Sequence, residues 1–107
     1  MATPRLDRGE FGLLLLALLA HRPMYGYELA AELRSRSGAV IDLPEGTIYP
    51  ALRRLEREGL IAGRWVEATG GPRRRYYDIT AVGTRSLDEG TAAWRTFSAA
   101  ARGILGK

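Results

Sequence analysis

The chain has 107 residues, the size of one domain, with 46% hydrophobic against 26% charged residues. That balance predicts a globular fold rather than a disordered one. It contains no cysteine, which excludes disulfides and thiolate metal sites. The formal net charge of +4 suits a polyanionic partner without by itself requiring one.

Met1 to Gly9 is expected to be a flexible arm, with Arg5 and Arg8 free to touch an acidic partner. Residues 10–20, Glu-Phe-Gly-Leu-Leu-Leu-Leu-Ala-Leu-Leu-Ala, lack a polar face. A helix apolar all round must be covered on more than one side. A chain this short supplies one core, so part of this helix is expected to face a second copy; complete wrapping by its own chain is the alternative. The apolar run is about half of what a membrane span needs. The basic residues before it are interleaved with Asp7 and Glu10, and no small-residue cleavage site follows. The expectation is therefore a cytoplasmic protein without a membrane span.

His21-Arg22-Pro23 breaks the first helix, because proline cannot continue it and biases the preceding residue away from helical angles. A second helix is expected over about Tyr25 to Ser37, burying Leu29, Ala30 and Leu33, with Gly38 at its end. Tyr25 and Tyr27 near its start can hydrogen-bond phosphate oxygens beside the helix N-terminus. They can equally be core tyrosines with satisfied hydroxyls, and both readings stay open here. His21, the only histidine, has no ligand partners nearby in sequence and reads as a loop residue.

After a short connector, Ala39 to Leu43, the stretch from Pro44 to Thr80 carries the functional signal. Ile48, Leu52 and Leu55 form an apolar stripe at i, i+4 and i+7 of a helix ended by Gly59. Pro50, Arg53, Arg54 and Arg57 lie largely off that stripe. If the helix begins near Pro44, Pro50 removes one backbone bond and bends the first turns. If Thr47 is the cap, Pro50 falls among positions that have no intrahelical partner anyway. Leu60 to Ala68 and Arg75 to Thr80 read as two strands, joined by a Gly70-Gly71-Pro72 turn that carries Arg73 and Arg74. Trp65 reads as packing rather than as a base-stacking platform. Six of the sixteen basic residues sit in two clusters, Arg53, Arg54, Arg57 and then Arg73 to Arg75. A solvated face paired with Glu56 and Glu58 is the bland alternative for the first cluster. A basic helix followed by an arginine-tipped hairpin is instead how a winged helix-turn-helix grips duplex DNA.

The last helix is expected to start between Thr80 and Thr84. Leu87, Trp94, Phe97, Ala101 and Ile104 follow one another at helical seam spacings, with Gly90 in the same register. Glycine there weakens the helix by about 1 kcal/mol against alanine but permits close approach. With little of its own domain left to pack on, this helix is expected to pair with the first helix of a second copy.

Met24-Tyr25-Gly26-Tyr27-Glu28-Leu29, Gly46-Thr47-Ile48-Tyr49-Pro50-Ala51-Leu52-Arg53-Arg54-Leu55-Glu56, Gly59-Leu60-Ile61 and Gly70-Gly71-Pro72-Arg73-Arg74-Arg75-Tyr76-Tyr77, through Thr80 and Gly83, resemble the PadR family of bacterial transcriptional regulators. The resemblance runs in order over about residues 10–105. It implies a homodimer of winged helix-turn-helix domains that represses transcription from a palindromic operator and is released by a small effector. The single C-terminal helix is similar to the short subfamily. In its multidrug-sensing members a tryptophan on the dimerisation helix lines a flat pore between subunits and stacks on planar aromatic ligands. Counting from Tyr76-Tyr77, Trp94 falls at that position, and Phe97 is assigned to the same effector site; the alternative is that Trp94 simply fills the helix seam. One departure is Pro44-Glu45, where many relatives would carry a capping Ser or Asn. It leaves the start of the recognition helix open and puts a carboxylate near the DNA-facing end.

The expected fold is thus mainly α with a small β-hairpin: an arm over 1–9, a winged helix-turn-helix over 10–82 and a dimerisation helix over 83–107. Thr47, Tyr49, Pro50, Arg53 and Arg54 would meet the major groove, with arginine suited to guanine O6 and N7. Arg73, Arg74 and Arg75 would hold phosphates or the minor groove, and Tyr25 and Tyr27 would clamp the backbone. No cofactor is expected. The rival reading is a winged-helix module that binds protein and never nucleic acid. An enzyme is disfavoured by the unpartnered histidine, the missing phosphate loop and the scattered carboxylates.

Overall fold

A computed structural model describes residues 6–106. The elements in order are α1 (Arg8–Leu19), α2 (Gly26–Arg36), α3 (Glu45–Arg57), β1 (Ile61–Val66), β2 (Arg74–Ile79) and α4 (Ala81–Leu105). The architecture is mainly helical with one antiparallel hairpin, as expected. No helix among the described residues is long and apolar enough to cross a membrane.

Most of the expected arm, including Arg5, lies outside the described residues. Its last residues are not an arm. The Asp7 carboxylate accepts from the Glu10 backbone N–H at 2.6 Å, and the Glu10 carboxylate accepts from the Asp7 N–H at 3.1 Å. This reciprocal box satisfies two donors that a helix start leaves orphaned, so Arg8 and Gly9 already belong to α1.

Leu15, Leu16, Leu18 and Leu19 of α1 are buried, and Phe11, Leu13, Leu14 and Ala17 are half-buried. The four buried leucines join Met24, Leu29, Leu33, Ile48, Leu52, Leu55, Ile61 and Tyr77 in one core, with Phe11 and Leu14 packed against it. The single chain therefore covers most of the circumference of α1. An all-apolar helix does not here require a second copy, because α2, α3, β2 and α4 all pack on it.

Tyr25 is the residue before α2 rather than its first turn. The helix starts at Gly26 because nothing larger fits: a Cβ there would stand 2.8 Å from the Tyr49 ring of α3. That contact brings α2 and α3 together as a helix-turn-helix. Pro44 flanks α3, so the helix begins at Glu45 and Pro50 lies inside it. Of the two starts left open, the early one holds, and the Gly46 carbonyl loses its usual i+4 donor.

The hairpin pairs Ile61 with Ile79 through to Val66 with Arg74. Met24 adds a third, one-residue edge, exchanging backbone hydrogen bonds with Tyr77 at 3.0 and 3.3 Å. The hairpin is thereby tied to the entry of α2. At its other end Thr80 caps α4, accepting from the Gly83 N–H at 3.0 Å and donating to the Gly59 carbonyl at 2.7 Å. The α4 helix spans 25 residues, about 37 Å at 1.5 Å per residue. It crosses α1 where Gly90 meets Leu13. Beyond that crossing its apolar side is open: Trp94 is 50% exposed, Phe97 64% and Ile104 85%.

Candidate nucleic-acid interface

The outer face of α3 presents Thr47, Tyr49, Pro50, Arg53 and Arg57, all exposed. The buried side of the same helix holds Ile48, Ala51, Leu52 and Leu55. Arg53 therefore stands where the sequence puts it, on the side away from the core. Arg54 does not. Its side chain is only 14% exposed, its Nη2 donates to the Arg8 carbonyl at 2.9 Å, and it lies against Gly12 of α1. It ties α3 to α1, and its donors are not on the same face as those of Arg53.

The three wing arginines also divide. Arg75 Nη2 donates to the Glu56 carboxylate of α3 at 2.7 Å, and the same oxygen accepts from the Gly63 N–H at 3.2 Å. Gly63 is what makes room, since a Cβ there would meet the Arg75 guanidinium at 2.7 Å. Arg75 is thus a charge-matched strut between the hairpin and α3. Arg74 lies over the Tyr25 ring at 4.9 Å. Arg73, at the turn, lies over the Trp65 indole at 5.0 Å. Both Arg73 and Arg74 are exposed.

Between wing and α3 runs a cleft of about 730 Å³, lined by Tyr25, Tyr49, Arg53, Trp65, Arg73 and Arg74 among others. The two tyrosines left open in sequence separate here. Tyr27 is exposed, whereas Tyr25 is half-buried between Tyr27, at 6.2 Å, and Tyr76, at 5.2 Å between ring centroids. Glu45 also reaches this cleft, where the Tyr49 hydroxyl donates to its carboxylate. That hydrogen bond, reinforced by partial burial, pushes the Tyr49 phenol up to about 12. Tyr49 therefore stays a neutral donor, and Glu45 is occupied by a hydroxyl rather than left bare beside the arginines.

A second groove, of about 700 Å³, runs between α1 and α4. Leu13, Leu16, Arg54, Gly90, Ala93 and Trp94 contribute to it. Trp94 and Phe97 are near neighbours, with ring centroids 6.1 Å apart. Trp94 borders the groove, while Phe97 projects past it.

A basic helix, a basic hairpin and a shared cleft narrow the family. A family model described as the transcriptional regulator PadR-like family matches residues 15–89. The chain belongs to this PadR-like family. Among solved structures, a transcriptional regulator from Clostridium thermocellum is similar at 30% identity, with 89% of each chain covered and a TM-score of 0.81. A PadR-like transcriptional regulator from Bacillus cereus is 32% identical, covering 94% of this chain and 95% of that one, with a TM-score of 0.80. An uncharacterized protein of Lysinibacillus sphaericus is 31% identical over 87 residues, 81% of this chain and 80% of its own length. The family and these structural neighbours are transcriptional regulators, not enzymes, and the PadR-like match spans both the helix-turn-helix and the wing.

Two residues lining this cleft stand otherwise than the sequence reading has them. Trp65, read there as packing, is 56% exposed and lies against two guanidiniums, Arg73 at 5.0 Å and Arg75 at 5.4 Å. Its strand alternation carried the signal: Trp65 sits opposite Arg75 in register, so both project from one face. Glu56, by helical spacing alone, is a partner for arginines on its own helix. Its contact with Arg75 is 19 residues away in sequence, beyond any helical spacing rule.

Proposed function

We propose that the chain is a DNA-binding transcriptional repressor that acts as a homodimer on a two-fold symmetric operator in the cytoplasm. The observation that carries this is the common cleft shared by Arg53 of α3 and Arg73 and Arg74 of the wing. Arg53, with Thr47, Tyr49 and Pro50 beside it, enters the major groove; Arg73 and Arg74 hold the backbone, and Tyr25 and Tyr27 flank them. Arg54 and Arg75 support this surface from within.

The exposed apolar side of α4 supports the dimer. A helix about 37 Å long with Trp94, Phe97 and Ile104 bare to water favours a second copy as its cover. Two recognition helices then have to stand about 34 Å apart to reach successive major grooves. A planar aromatic effector stacking on Trp94, with Phe97 at its edge, releases the operator by favouring an arrangement with a different spacing.

The test is salt-dependent binding to a labelled duplex. If a dimer covers about six phosphates, affinity falls roughly a thousandfold between 50 and 200 mM salt. The pair Arg73→Ala and Arg74→Ala should flatten that slope, and Arg53→Ala should relax sequence preference. A protein that binds no duplex at low salt, or binds one without salt dependence, contradicts the proposal.

A further inference from the structure

Glu56, Arg75, Trp65 and Arg73 form one continuous layer on the side of the hairpin that faces α3. Glu56 holds Arg75 at 2.7 Å, and Arg75 and Arg73 both lie against the Trp65 indole. Both arginines lie against the indole, but only Arg75 is also held by a carboxylate. A carboxylate engages a guanidinium through its N–H edge and matches its charge. An indole engages it through the flat face and leaves the donors at the edge free. Arg75 is therefore charge-matched through an Nη2 donor, whereas Arg73 is oriented with its charge and its hydrogen-bonding edge intact.

A long arginine on a turn must give up rotamer freedom to bind an anion. One already resting on an indole has given up part of it. The layer also runs back to Glu56 of α3 without a break, so the place of Arg73 is referred to the recognition helix itself.

We propose that Trp65 is a positioning residue for DNA recognition: it pre-orders Arg73 at the wing tip and sets the distance between that guanidinium and α3. This rests on the DNA-binding reading above. Trp65 itself does not touch the duplex; it acts through Arg73. The four-member layer assigns the wing one anion-binding arginine on this face and one strut.

A double-mutant cycle tests it, with binding of a labelled mixed-sequence duplex followed by fluorescence anisotropy. Trp65→Leu, which keeps an apolar side chain but removes the π face, should weaken binding about two- to fivefold per wing, the range set by an exposed cation–π contact. In an Arg73→Ala background the same change should have no further effect, and Trp65→Phe should restore most of the loss. Equal losses in both backgrounds would overturn the proposal, because Trp65 would then act on the DNA directly or on the fold. A readout without DNA guards against a merely unfolded variant. The Arg73 side-chain protons should show an upfield ring-current shift that Trp65→Leu abolishes while amide shifts of α1 and α2 stay put. Absence of that shift in the unsubstituted protein would also overturn it. If the unsubstituted protein binds no duplex while the shift is present, the DNA-binding reading fails and the stack stands without that role.

Discussion

Replacing Gly83 by alanine should cost far more than any other glycine substitution in α4, and the reason is a backbone atom. A Cβ at Gly83 would stand 2.0 Å from the Leu60 carbonyl oxygen and 2.8 Å from Ile79 Cγ1. The Leu60 carbonyl cannot simply swing aside, because it accepts the Thr80 N–H at 3.1 Å, the residue that also caps the helix. Overpacking against a side chain typically costs about 1–3 kcal/mol; with backbone as the obstacle, about 3 kcal/mol or more is expected. For a domain of about 100 residues each kcal/mol moves the melting point by about 4–8 °C, so Gly83→Ala should lower it by roughly 12–24 °C. Gly103→Ala in the same helix meets nothing within 4 Å, and there alanine should stabilise by up to about 1 kcal/mol. Thermal melts followed by circular dichroism, at equal protein concentrations so that any dimer contributes equally, measure both. A Gly83→Ala protein that melts with or above the parent would refute the close packing of the start of α4 against the turn after α3.

Glu56→Gln should lower the melting point by only a few degrees, since the Arg75 pair is about a third exposed and such pairs contribute about 1 kcal/mol at most. The same change frees the Arg75 guanidinium from its carboxylate, so the salt dependence of binding to a mixed-sequence duplex should steepen; an unchanged slope would contradict the matching of Arg75 by Glu56. Tyr49 provides a pH prediction. Its folded-state value, about 12, lies above the ordinary 10.0, so the folded state keeps a proton that the unfolded state releases. The resulting stability is fully present below pH about 10 and is lost as pH rises toward about 12. Ultraviolet titration should show Tyr49 late, alongside Tyr77, which burial also raises, and Glu45→Ala should bring Tyr49 alone down by removing its chief cause. Phe97→Ser, on the bare side of α4, should shift sedimentation from a two-chain to a one-chain species, with an unchanged helical spectrum; an unchanged two-chain species would remove Phe97 from the seam.

Periodicity made the helices and the hairpin legible, because burial in this chain follows it closely. Ile48, Leu52 and Leu55 are all buried, as spacings of four and three demand. What periodicity could not do was sort the arginines. At about 100° per residue, Arg54 lies about 60° from buried Ala51, whereas Arg53 stands about 100° from its nearest buried neighbour, Leu52. Both are off the apolar stripe, yet only Arg54 is close enough to its edge to fold back over Gly12, where the missing side chain leaves room for a guanidinium. The Asp7–Glu10 box, whose spacing is legible in the sequence, is what starts α1 two residues earlier than its apolar run does.

The wing arginines pose the harder problem, because their fates depend on contacts that no local rule contains. Arg73, Arg74 and Arg75 are consecutive and chemically identical, so a sequence reading treats them as one cluster. In the fold Arg74 projects to the face shared with Tyr25, while Arg73 and Arg75 project to the face shared with Trp65. Alternation along a strand separates the middle one from its neighbours. Only the register with β1 and the reach of Glu56 from α3 then separate Arg75 from Arg73. A run of like charges at a turn is therefore not a measure of how much charge faces a partner. Of the three consecutive arginines on this hairpin, one is already matched inside the protein, by Glu56, as Arg64 of β1 is by Asp78. That is why mutating the three should give unequal losses: small in salt dependence for Arg75, and larger for Arg73 and Arg74.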